Sequence, residues 1–155
     1  MFNWAVSEKI LTETPSHNVD LLKVPEEEFH VISKSQERKL FEKCNLQTFA
    51  GLRDALMISF LLDTGVRIGE CTRIYAHEVD LVNRSVVVRA ESAKTRKART
   101  VYFGGRMQKL LAVYLFWHEK NALASNLFLN EYGGPIDKEW ATKRIRYLGQ
   151  KAKIT

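Results

Sequence analysis

The sequence of 155 residues has only two cysteines, four histidines and three prolines. Cys44 and Cys71 show neither a metal-ligand spacing nor a disulfide framework, which favours a reducing, cytoplasmic location. The histidines are scattered, so no zinc site is predicted. The chain lacks a run of about 18 apolar residues, so no membrane span is expected. It also begins without the basic-then-apolar layout of a secretory signal. The length of 155 residues, 45% of them hydrophobic, suits one compact domain, with or without an extension.

Positive charge is concentrated in one part of the chain. Residues 1–50 carry six Lys and Arg against eight Asp and Glu, whereas residues 51–155 carry 18 against 10. The net charge of +6 and the pI near 9.4 therefore come from the second part. Such an excess favours a polyanion as partner, although many basic domains bind none.

Apolar periodicity and capping residues predict a chain that is mainly helical. Ser33 is the predicted N-cap of a short helix over 35–44. Its predicted inward side chains are Leu40, Phe41 and Cys44. The central helix is predicted over 52–64, where it is apolar on nearly every side, and Gly65 ends it. A further short helix is expected over 68–74.

The middle of the chain predicts a small antiparallel sheet. SVVVRA and RTVYF are runs of β-branched and aromatic residues, and ESAKTRKA between them is a polar loop. The preceding EVDLVNR adds a possible first strand with a turn at Asn83. Two or three strands are therefore expected.

Two longer helices complete the predicted fold. The first follows Gly104-Gly105, and its predicted inward residues are Leu110, Leu111, Val113, Tyr114 and Trp117. An extended segment, NLFLNEYGGPID, closes with a Gly-Gly-Pro turn. The last helix places Trp140, Ile145 and Leu148 on one side, opposite a basic side. Trp117 and Trp140 are interpreted as core residues. The predicted fold class is α+β, mainly α, with the small sheet.

Three motifs in order carry a family resemblance. GLRDALMISFLLDTGVRIGE is the most specific, VVVRAESAKTRKARTVYF is the second, and LFLNEYGGPI is a weaker third. Together they resemble the catalytic domain of the tyrosine recombinase, or phage integrase, family. The resemblance implies an arm or linker over 1–24 and a partial catalytic domain of the helical integrase type over 25–155.

By this resemblance, Arg67 is the first of two catalytic arginines in a reaction that exchanges DNA phosphodiesters. A guanidinium matches the non-bridging phosphate oxygens with a planar fork of donors, and it stays charged. Glu70, three residues later, is expected to orient this site. The competing interpretation is an arginine at a helix end that offsets carbonyl dipoles.

The resemblance also assigns Lys94 as the hairpin lysine that donates a proton to the leaving 5′-oxygen. Lys97 is the alternative if the hairpin register shifts. Further cations are predicted to contact DNA phosphates without reading its sequence. They are Arg89, Arg96, Lys97, Arg99, Lys143, Arg144 and Arg146. Solvated charges on a loop tip are the alternative for most of those in the hairpin.

Other elements of the family pattern do not occur in these 155 residues. There is no His-x-x-Arg, and each tyrosine precedes the position where a family nucleophile would fall. We therefore expect the N-terminal part of a catalytic domain that binds DNA without cleaving it. Such a chain would be a truncated product, a split-gene remnant or an expressed fragment. The alternative is that a second polypeptide supplies the missing catalytic residues.

Two further classes of function stay open from the sequence. One is a basic helical module that binds DNA or RNA, and the other is a non-catalytic protein that regulates an intact recombinase. The expected partner is double-stranded DNA, with the chain itself or an intact recombinase as possible protein partners. No metal, cofactor or membrane is implied.

Overall fold

The computed structural model describes residues 2–15, 31–91 and 97–154. The chain divides into two compact units, residues 1–31 and residues 32–155. In the first unit, helix α1 spans Phe2–Ser7. The predicted boundary between residues 24 and 25 lies outside the described residues.

Helix α2 spans Lys34–Glu42 and begins at the predicted cap. The Ser33 hydroxyl accepts a hydrogen bond from the Gln36 amide at 3.3 Å, and the Ser33 amide donates to Gln36 Oε1 at 2.8 Å. This reciprocal pair satisfies two amides that a helix start would otherwise leave unbonded. Leu40 and Cys44 are buried as predicted.

Helix α3 spans Phe49–Thr64 and forms the centre of the second unit. Residues 51–60 are all buried, so the helix packs on every side. It ends at Gly65, whose φ of +63° is the left-handed conformation that glycine adopts without a steric cost. The short helix α4, Ile68–Cys71, follows Val66 and the extended Arg67 and is shorter than predicted.

The sheet has three antiparallel strands in the order β1-β2-β3. The strands are β1 Val79–Asp80, β2 Ser85–Val88 and β3 Arg99–Tyr102. The Asp80 carboxylate closes the first turn by accepting from the Asn83 amide at 2.8 Å and from its side chain at 2.7 Å. These hydrogen bonds lower the pKa of Asp80. The predicted turn at Asn83 is therefore present.

Helix α5, Gly105–Asn121, buries Leu111 and Tyr114 as predicted, but the rest of its buried face differs from the prediction. Its buried residues are Met107, Leu111, Tyr114 and His118. Val113 and Trp117 are 52% and 47% exposed, so their assignment to the core was wrong. The observed spacing of four, three and four residues follows one face of a helix, whereas 113 and 117 lie beside that face.

Helix α6, Lys138–Lys151, packs on α2 and α3 with Leu148 and Ala152, next to Leu40 and Ala55. Trp140 is 36% exposed and was also wrongly assigned to the core. One face of its ring is covered by the guanidinium carbon of Arg53, 4.4 Å from the ring centroid. The main core lies between α3, α5, the sheet and the extended segment that contains Phe128.

Candidate active site

The end of helix α3 presents Arg67 at the surface. The Thr64 hydroxyl donates to the Phe60 carbonyl at 2.6 Å, and Gly65 then reverses the chain. Val66 is buried, which anchors the segment, while 57% of the Arg67 side chain remains exposed. A buried helix therefore ends by placing one guanidinium in solvent reach.

Glu70 lies beneath this guanidinium with a side chain that is 2% exposed. Its Oε2 accepts the Arg67 amide at 3.0 Å, and its Oε1 lies 3.4 Å from Arg67 Nη1. The same carboxylate binds Arg99 from strand β3, with Nη2 2.6 Å from Oε2 and Nη1 3.4 Å from Oε1. The hydrogen bond to Glu70 raises the pKa of Arg99. One buried carboxylate thus joins two arginines.

The loop between β2 and β3 falls only partly within the described residues. Lys94 and Arg96 lie in residues 92–96, which are outside them. Lys97, the alternative hairpin lysine, is described and exposed. The position of Lys94 relative to Arg67 therefore stays a prediction.

Arg89, at the end of strand β2, has internal partners. Its Nε lies 2.6 Å from Glu78 Oε1, an ion pair in which the N–H is not aligned as a hydrogen bond. Its Nη2 donates to the Arg73 carbonyl at 3.1 Å, and its guanidinium carbon lies 4.1 Å from the centroid of the Tyr75 ring. These contacts anchor the strand end that leads into the loop between β2 and β3, which contains Lys94 and Lys97 and is called the lysine loop below.

The basic residues of α6 divide into two kinds. Lys143 and Arg146 are exposed. Arg144 instead turns inward to Asp54 of α3, with its Nε 2.7 Å and its Nη2 2.6 Å from Oδ2. Helix α4 packs on the first turn of α6, where the Lys138 side chain lies against Gly69. The segment that follows Arg67 therefore contacts the start of α6.

Asp54 and its neighbour Arg53 were missed by sequence reasoning. Both are nearly inaccessible, and Arg53 donates to Asp54 Oδ1 through Nε at 3.1 Å and Nη2 at 2.8 Å. Arg53 Nη1 also donates to the Leu129 carbonyl at 3.2 Å. Two adjacent charges inside an apolar helix were the available signal, because charges at such positions require partners.

The described residues contain neither a metal-ligand cluster nor a membrane-spanning helix. No group of three or more His, Cys, Asp or Glu side chains there is placed to hold a metal ion. Over the same residues, none of the helices has the length and apolar character to cross a bilayer. Cys44 and Cys71 are buried free thiols, and burial raises the pKa of Cys44 to about 11.

Comparison with known proteins identifies the family of this fold. The model of the phage integrase family matches residues 30–155. The chain belongs to the phage integrase family. The predicted resemblance to tyrosine recombinases is thereby confirmed, and so is the fold class.

Among curated relatives of this integrase-family chain, tyrosine recombinase XerC of Bacillus subtilis is 29% identical over 160 residues. That match covers 99% of this chain and 52% of the relative. Tyrosine recombinase XerC 2 of Ralstonia nicotianae is 30% identical, over 95% of this chain and 43% of the relative. The chain thus spans about half the length of the curated relatives it matches.

Solved structures of integrase-family proteins share the fold. The XerA recombinase superposes with a TM-score of 0.70 and 27% identity, over 80% of this chain and 43% of that one. The Tn1549 transposon integrase, in complex with a circular intermediate DNA, gives a TM-score of 0.71 at 20% identity. That match covers 97% of this chain and 54% of the integrase, and it shows the fold alone.

Proposed function

We propose that this chain is the DNA-binding portion of a site-specific tyrosine recombinase and that Arg67 binds a DNA phosphate. One arrangement supports this role: the Arg67 side chain, which is 57% exposed, pairs with the Glu70 carboxylate, whose side chain is 2% exposed. Glu70 fixes the backbone of Arg67 through the 3.0 Å hydrogen bond, while its 3.4 Å contact engages one guanidinium nitrogen, Nη1. Such a fork can bind two oxygens of one phosphate.

The proposed chemistry is that of the family. In the transition state for exchange of a phosphodiester, negative charge gathers on the non-bridging oxygens. A preorganised guanidinium stabilises that charge, and effects of this kind are usually the largest catalytic contribution. We assign Lys94 as the proton donor to the leaving oxygen, with Lys97 as the alternative. General acids of this kind contribute on the order of 10²–10⁴-fold.

The remaining cations support DNA binding to different degrees. Lys97, Lys143 and Arg146 are exposed, so we propose that they contact phosphates, together with Arg96 of the lysine loop. Arg89, Arg99 and Arg144 have carboxylate partners within the protein. We therefore give these three arginines structural roles. Recombinases in complex with DNA among the related structures favour double-stranded DNA as partner.

Substitution of Arg67 tests this function. Arg67→Ala is expected to weaken binding to a labelled DNA duplex about tenfold, because one charge-assisted contact is lost. Fluorescence anisotropy at fixed salt measures the affinity. Arg38→Ala is the matched control, since Arg38 is an exposed arginine on α2 and its loss changes the net charge equally. Equal affinities for the two variants would mean that Arg67 does not bind a phosphate. They would favour the alternative of a basic binding module in which Arg67 is only an arginine at a helix end.

We further propose that this chain alone binds DNA without cleaving it, since its sequence contains no His-x-x-Arg motif. A nicked suicide duplex, which traps a covalent protein–DNA link after cleavage, is expected to give no adduct on a denaturing gel. An intact family member serves as the positive control. A trapped phosphotyrosine in this chain would show that it carries its own nucleophile.

A further inference from the structure

Among the residues that the structure describes, two arginines contact the Glu70 carboxylate, and they hold it unequally. Arg99 approaches it with both terminal nitrogens, at 2.6 and 3.4 Å. Arg67 approaches with Nη1 alone, at 3.4 Å. The shorter, two-point pair is the stronger one, so of these two arginines Arg99 interacts more strongly with the negative charge of Glu70.

Competition for Glu70 affects what Arg67 can bind. A buried carboxylate interacts strongly with any cation beside it, because little water screens the pair. If Arg99 is removed, Arg67 is the other arginine described on this carboxylate, and its guanidinium is only 3.4 Å away. A closer Arg67–Glu70 pair would occupy donors that a phosphate needs.

We propose that Arg99 is a positioning residue that occupies Glu70 and thereby keeps the guanidinium of Arg67 available to a DNA phosphate. This role rests on the proposed function and differs from direct contact of Arg99 with DNA. Arg99 stands in strand β3, just after the lysine loop. The same ion pair therefore joins the base of that loop to the Arg67 segment.

The two roles predict opposite results for a double substitution. Glu70→Gln removes the charge but keeps an oxygen that accepts the Arg67 amide. The Glu70→Gln/Arg99→Ala protein has the same net charge as the parent chain. If Arg99 only occupies Glu70, Arg99→Ala is expected to weaken DNA binding about tenfold beyond Arg38→Ala, and adding Glu70→Gln should restore affinity to within about twofold.

The experiment measures duplex affinity of the full chain by anisotropy over a series of salt concentrations. The variants are Arg67→Ala, Arg99→Ala, Glu70→Gln and the Glu70→Gln/Arg99→Ala double variant, with circular dichroism as the check of folding. In an Arg67→Ala background, Arg99→Ala should cause no further loss beyond that of Arg38→Ala. If Arg99→Ala does not fold, the DNA affinity of the double variant, compared with that of the parent chain, still distinguishes the two roles of Arg99.

Two outcomes would overturn the proposal. A double variant as weak as Arg99→Ala, with a salt slope smaller by about 0.9, would mean that Arg99 contacts a phosphate directly. A Glu70→Gln protein as weak as Arg67→Ala would mean that Glu70 orients Arg67 and does not compete for it. If instead Arg67→Ala equals the Arg38→Ala control, the proposed function itself fails. Restored affinity and an unchanged slope in the double variant would support the role of Arg99.

Discussion

Replacing Asp54 by alanine is expected to lower the free energy of unfolding by about 3–5 kcal/mol. The Asp54 carboxylate accepts from Arg53 through Oδ1 and from Arg144 through Oδ2, at distances of 2.6–3.1 Å. Arg53 is 1% exposed, so loss of the carboxylate leaves a buried cation without its ion-pair partner and close to a second cation. A typical domain is stable by only about 5–15 kcal/mol, so this variant should be largely unfolded under mild denaturing conditions.

Urea denaturation followed by circular dichroism measures this loss. Asp63→Ala is the matched control, because Asp63 lies on the same helix but is exposed and accepts one hydrogen bond, from the Gly104 amide at 3.1 Å. The control should cost about 1 kcal/mol. Equal costs at the two positions would mean that the buried ion cluster does not stabilise the fold.

The second large effect is expected on DNA affinity. Six cations contact phosphate groups under the proposed function, with Lys94 at the leaving oxygen of the reacting phosphate: Arg67, Lys94, Arg96, Lys97, Lys143 and Arg146. Each phosphate contact releases condensed counterions, so log K should fall with log salt concentration with a slope of about −5.4. Raising the salt from about 50 to about 200 mM should then weaken binding about a thousandfold.

The slope of log K against log salt concentration also tests which arginines contact DNA and which only pair with carboxylates in the protein. If Arg89, Arg99 and Arg144 contacted phosphates as well, nine contacts would give a slope of about −8.1. Arg146→Ala should make the slope less steep by about 0.9, whereas a conservative Arg89→Lys change should leave it unaltered. A slope near −8 would mean that the three ion-paired arginines also contact DNA phosphates.

Local signals in the sequence predicted much of this fold. Each of three residues marks an element boundary where it was expected: Ser33, Gly65 and Asn83. Their effects depend only on the backbone within a few residues in the sequence. The strand pattern around the polar loop predicted the sheet for the same reason. The proposal for Arg67 came from a family motif, GLRDALMISFLLDTGVRIGE, which lies within one short segment.

Tertiary partners could not be predicted in the same way. Arg99 and Glu70 are 29 positions apart, so nothing near Arg99 in the sequence distinguished a partner in the protein from a partner in DNA. The prediction of the buried face of α5 was partly wrong for a related reason. Val113 and Trp117 are apolar residues beside the buried stripe, and only the packing of α5 on α3 decides which side is covered.

The ion pair between Asp54 and Arg144 has a consequence for the order of folding. Its partners are 90 positions apart, whereas the sheet joins segments that are close in sequence. Closing a long loop costs more chain entropy, so the hairpin can form before helix α6 docks. Contacts made after the rate-limiting step affect unfolding more than folding. Weakening this pair should therefore shorten the lifetime of the native state while the rate of its formation changes little.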